Sequence, residues 1–76
     1  MFILKPIRNY IECELNIFRN ECNFSEEELL FFNLSAKGYG KVRIAAEMNS
    51  STSTIYRISK SVYEKMERAE KLLLTE

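Results

Sequence analysis

The side chains best equipped for chemistry here are two thiols, a run of carboxylates, a run of hydroxyls and a cluster of cations. There is no histidine, so the usual general base and the nitrogen ligands of common zinc sites are both missing. Cys13 and Cys22 do not form a CxxC pair and have Ile11, Leu15 and Phe18 for neighbours, which predicts buried thiols, with a disulfide as the alternative. Glu26, Glu27 and Glu28 are adjacent carboxylates, yet they follow Ser25 into the first turn of a predicted helix, where they complement the helix dipole. No glycine-rich phosphate loop occurs. Neither catalysis nor a metal nor a cofactor is expected. The hydroxyl run Ser50, Ser51, Thr52, Ser53 and Thr54 lies in the basic part of the chain. Residues 37–60 hold Lys37, Lys41, Arg43, Arg57 and Lys60 against Glu47 alone, a net charge of +4. Residues 1–35 oppose Lys5, Arg8 and Arg19 with Glu12, Glu14, Glu21, Glu26, Glu27 and Glu28, a net charge of −3. The chain as a whole is neutral, but its second half has the sign that a phosphate-bearing partner requires.

Positioning these groups falls to helices. With 76 residues, two glycines and one proline, the chain has room for one domain of helices joined by short turns, and 46% hydrophobic residues are enough to fill its core. Ile7, Ile11, Leu15, Phe18 and Cys22 form one helical stripe, which predicts a first helix over residues 6–22 with Pro6 in its first turn. Ser25 and Glu28 make a capping box, with Phe24 and Leu29 spaced as its hydrophobic staple, so a second helix begins at Glu26. Leu29, Leu30, Phe31, Phe32 and Leu34 predict that this helix is buried on most sides, and Gly38 provides the left-handed position that ends it. A short third helix over residues 41–48 carries Ile44, Ala45 and Met48 inward and stops at Asn49, which tolerates the left-handed conformation. One hydroxyl of the run before Ile55 then caps a fourth helix, although the same run also reads as a linker. Ile55, Ile58, Val62, Met66, Ala69 and Leu73 continue its stripe over residues 52–73. The expected fold is all-α, four helices with a long C-terminal one.

Residues 41–60 also fit the general helix-turn-helix pattern. Ile44 and Ala45 anchor its first helix, Asn49 sits in the turn, and Ile55 and Ile58 back the second helix, with Ala45 small enough for the two backbones to approach. Upstream, Phe24-Ser25-Glu26-Glu27-Glu28 through Ala36-Lys37-Gly38 resembles the helix preceding this motif in LuxR-type regulators and in the promoter-reading C-terminal domain of sigma factors. The resemblance covers residues 24–66. Residues 1–23 stand as an N-terminal helical extension and 67–76 as a projecting helix end. Asn49 occupies the place where that family favours glycine, and Ser50 the place where it favours an apolar plug.

The resemblance implies a transcription regulator that binds double-stranded DNA, with the last helix entering the major groove. Carried over position by position, the groove-facing set is Ser51, Thr52, Ser53, Tyr56, Arg57 and Lys60. Arg57 suits a bidentate guanine contact, Thr52 and Ser53 suit base edges or thymine methyls, and Lys60 suits a phosphate. Lys41 and Arg43 lie near the DNA backbone. The alternative is an ordinary solvated helix face on which Arg57 pairs with Glu47. The same family also contacts RNA polymerase, so an adaptor module held by a protein partner is the competing function. Val62, Ala69, Leu72 and Leu73 are spaced as the seam of a homodimer through the C-terminal helix. The alternative folds Met66, Ala69 and Leu73 back onto the first helix of a monomer. No stretch reaches the roughly 20 apolar residues of a membrane span, and the apolar start is cut off by Lys5, Pro6 and Arg8, which together imply a cytoplasmic protein.

Overall fold

The computed structural model describes residues 6–74, with side chains described as far as Lys71. A 3-10 turn at Ile7–Asn9 precedes four α-helices: α1 (Glu12–Glu21), α2 (Glu26–Ala36), α3 (Lys41–Glu47) and α4 (Thr52–Leu74). The described residues include no strand. Nor is any helix among them long and apolar enough to cross a membrane.

The first helix is shorter than its apolar stripe predicts. Tyr10 and Ile11 are extended (ψ 146° and 164°), which separates the 3-10 turn from α1. Two hydrogen bonds, one across the fold and one local, explain the break. The Ile7 N–H donates to the Tyr63 hydroxyl on α4 at 3.2 Å, anchoring the turn, and the Glu14 carboxylate accepts the Ile11 N–H at 3.1 Å, which starts a new helix at Glu12. Ile7 is buried at 1% exposure while Ile11 keeps 63%. The two residues therefore do not share the one stripe expected of residues 6–22. Cys13 is also a correction: it is exposed, whereas Cys22 is buried. Cys13 lies two residues before buried Leu15, about 200° around the helix, and so faces away from the core. Both thiols are free, and burial pushes Cys22 up to about 11.

α2 starts on the capping box read from sequence. Ser25 Oγ accepts the Glu28 N–H at 3.3 Å, and Glu28 Oε1 accepts the Ser25 N–H at 2.9 Å. Its burial is narrower than expected, since Leu29 and Leu30 remain 37% and 46% exposed. Phe31, Phe32 and Leu34 carry the buried face instead. Phe24 makes its ring contact with Phe32, with centroids 5.0 Å apart. Phe18 meets Phe32 edge-on at 6.4 Å, and Tyr10 meets Phe18 at 5.1 Å, so an aromatic chain fastens α1 to α2. The helix ends in a Schellman motif: Tyr39 N–H donates to Leu34 O, Gly38 N–H donates to Ser35 O, and Gly38 has φ 94°.

α4 crosses the whole core. Ile55, Val62 and Met66 are fully buried, with Ile58 and Ala69 nearly so. This corrects the dimer seam, because Val62 at 0% and Ala69 at 5% exposure are already covered within one chain. Leu72 and Leu73, the other seam residues, lie outside the described side chains. Lys65, which lies between these seam positions, pairs with Glu28 on α2. Its Nζ stands 2.5 Å from Glu28 Oε1, and Ser61 Oγ donates to the other carboxylate oxygen. Since Ala69 is buried, coverage also extends past Met66, where a projecting end was expected to begin.

Candidate nucleic-acid interface

The candidate surface is built on the turn from α3 to α4, and that turn follows from three residues, Asn49, Ser50 and Ser51. α3 ends in a second Schellman motif, in which the Ser50 N–H donates to Ala45 O at 2.9 Å and the Asn49 N–H to Ala46 O at 3.2 Å. Asn49 takes φ 55°, the left-handed conformation that asparagine tolerates better than other side chains. Ser50 is half-buried, and its hydroxyl donates to Met48 O at 3.2 Å, so a polar residue fills the turn by bonding inside it. Ser51 then caps α4, its Oγ accepting the Thr54 N–H at 3.2 Å. These bonds reject the linker reading of the hydroxyl run. They also engage Ser51 in holding the helix start, although its side chain remains exposed.

From that start α4 sorts its residues by face. Ile55 and Ile58 are buried at 0% and 8% exposure, whereas Thr52, Ser53, Tyr56, Arg57 and Lys60 are all exposed. Ser53, Tyr56, Arg57 and Lys60 follow one another at helical spacing and share one outward ridge. Tyr56 is 61% exposed, which is unusual for an aromatic residue in so small a domain.

The two α3 cations divide. Lys41 reaches across to α4, with its Nζ 5.5 Å from the centroid of the Tyr56 ring, so a cation joins the ridge at its aromatic member. Arg43 stays on its own side, with its guanidinium 4.2 Å over the Tyr39 ring and its Nε 3.9 Å from Glu47. Glu47 is the one carboxylate of this segment, and its ion pair is with Arg43 and not with Arg57. Among the described residues neither Arg57 nor Lys60 has a hydrogen bond or ion pair. The ridge therefore presents Arg57 and Lys60 without ion pairs, the Ser53 hydroxyl and the Tyr56 ring, with Lys41 beside that ring and the nearby carboxylate already paired.

Sequence reasoning missed Val42, which at 76% exposure stands between Lys41 and Arg43 on the outer side of α3. Its position was legible, since Ile44 and Ala45 claim the inward face and turn Val42 outward. Among the described residues no group of three or more cysteines and acids could hold a metal ion. No family model, curated protein or solved structure matches the chain.

Proposed function

We propose that the chain binds double-stranded DNA through the outer ridge at the start of α4 and thereby regulates transcription. The observation that supports this reading most strongly is the pairing pattern. Arg57 and Lys60 are exposed and unpaired, while the segment's one acid is taken by Arg43. A solvated helix face of the ordinary kind interleaves its cations with carboxylates, and this ridge does not. A helix is the element that fits the major groove, with its outward side chains at the depth of the base edges. Arg57 then reads a guanine, Thr52 and Ser53 touch adjacent base edges, and Lys60 and Lys41 neutralise phosphates on either side. Tyr56 lies between them, within reach of the sugar-phosphate backbone.

With Val62 and Ala69 buried in the chain's own core, the reading needs no dimer: one chain engages one short element of sequence. A second reading, docking on a protein such as RNA polymerase, has its own support in the exposed apolar residues of the acidic half. These are Ile11, Ile17, Leu29 and Leu30, at 63%, 43%, 37% and 46% exposure. Selection from a random duplex pool separates the two. The DNA-binding reading predicts enrichment of one short motif by the full chain. It also predicts that Arg57→Ala loses preference at one base pair while the rest of the motif persists. A pool that emerges without any enriched motif rejects base reading.

A further inference from the structure

A basin opens where the 3-10 turn meets the start of α3, on residues that the DNA-facing ridge leaves unused apart from Lys41. Its volume is about 410 Å³, within the usual span of small-molecule sites of roughly 300–1,000 Å³. Exposed Pro6 and the half-buried Tyr39 give it apolar surface, above the core residues Phe31 and Ile44. Arg8 and Lys41 stand in its wall, and no carboxylate lines it. Among the described residues neither cation has an acidic partner. Tyr63 contributes a hydroxyl that accepts the Ile7 N–H, which leaves its own O–H proton to donate into the basin.

Two unpaired cations and a phenolic donor call for an anion, and apolar surface calls for a hydrocarbon body on the same molecule. We propose that this basin binds a small carboxylate bearing an aromatic or branched apolar body. The carboxylate meets Arg8 and Lys41 and takes the Tyr63 proton as a hydrogen bond, while the body rests on Pro6 and Tyr39. A bare inorganic anion leaves that apolar surface uncovered and is the poorer fit. The assignment stands on the basin alone, independently of DNA, and its test is read without DNA.

Nitrogen-15 NMR titration of the full chain with 3-phenylpropionate, its neutral counterpart 3-phenylpropionamide and inorganic phosphate supplies that test. The carboxylate should move the amide signals of Ile7, Arg8, Lys41 and Ile44 saturably, and the other two probes should bind at least about tenfold more weakly. Arg8→Gln, at an exposed position, should weaken the carboxylate by about tenfold without disturbing the remaining spectrum. Three outcomes overturn the proposal: no saturable shift up to the solubility limit, equal binding of the amide or of phosphate, or unchanged binding by the Arg8→Gln chain.

Discussion

Replacing Glu28 with glutamine should destabilise the protein in a way that disappears in acid. The Glu28 side chain is 11% exposed, and its carboxylate faces three donors: the N–H of Ser25 that caps α2, and the Ser61 hydroxyl and Lys65 ammonium of α4. Burial pushes its pKa up, but hydrogen bonds from Lys65, from the Ser25 backbone and from Ser61, together with the Lys65 charge, outweigh burial. They hold it at about 2, against an ordinary value of 4.5. A displacement of that size corresponds to about 3 kcal/mol at most. The Lys65 side chain keeps 31% exposure, and solvent screening brings the expected gain down to about 1–2 kcal/mol. The folded-state pKa lies below the unfolded one, so the contribution is complete above about pH 4.5 and is lost as pH falls towards 2. Urea unfolding of the native chain and Glu28→Gln should differ by about 1–2 kcal/mol at pH 6, and by about a quarter of that at pH 2.5. Taking the difference removes the other carboxylates, which titrate in both chains. An equal gap at both pH values, or none at pH 6, refutes an ionic latch between α2 and α4.

Three further expectations follow from local geometry. Asn49→Ala should cost about 1–2 kcal/mol because φ is 55° there, while Asn49→Gly should be nearly neutral; equal urea midpoints for the two variants contradict the left-handed cap. Met66→Ala should cost about 2–5 kcal/mol, since the side chain is fully buried, and a loss below about 1 kcal/mol on denaturant unfolding means that α4 is not packed there. Thiol titration of the native chain should modify exposed Cys13 quickly and leave Cys22 untouched until the protein unfolds, because burial both covers Cys22 and raises its pKa to about 11; two thiols reacting at one rate contradict that placement.

What the sequence made legible was whatever depends on neighbours along the chain. The Ser25 and Glu28 box, the stop at Gly38, the left-handed Asn49 and the inward stripe of α4 are all local rules, and each is found as expected. What it hid depends on contacts across the fold. Helical spacing from Ile7 to Cys22 gives no hint that Tyr63 on α4 takes the Ile7 N–H and fixes a separate 3-10 turn. Val62 and Ala69 fit a coiled-coil seam and a buried core stripe equally well, and only the packed helices show that one chain already covers both. The Lys65 pair with Glu28 joins residues 37 apart, a contact that no local pattern announces. Asn23, at φ 53°, follows α1 in the same left-handed conformation that Asn49 takes after α3, a signal that the continuous stripe around it masks. The outward ridge of α4 was legible because it is the complement of a stripe. The pairing of Arg43 with Glu47 was not singled out, although the two stand four residues apart on one short helix.

The central claim, that the α4 ridge holds DNA through its phosphates and bases, is tested most directly by the salt dependence of binding to a selected duplex. Fluorescence anisotropy gives the affinity of the native chain and of Lys60→Ala at several salt concentrations. With Lys41 and Lys60 neutralising two phosphates while Arg57 reads a base, the log-log slope for the native chain should be about −1.8. Lys60→Ala should reduce its magnitude by about 0.9 and weaken all duplexes alike. An affinity that barely responds to salt, or a slope that Lys60→Ala leaves unchanged, contradicts the assignment of this face to DNA.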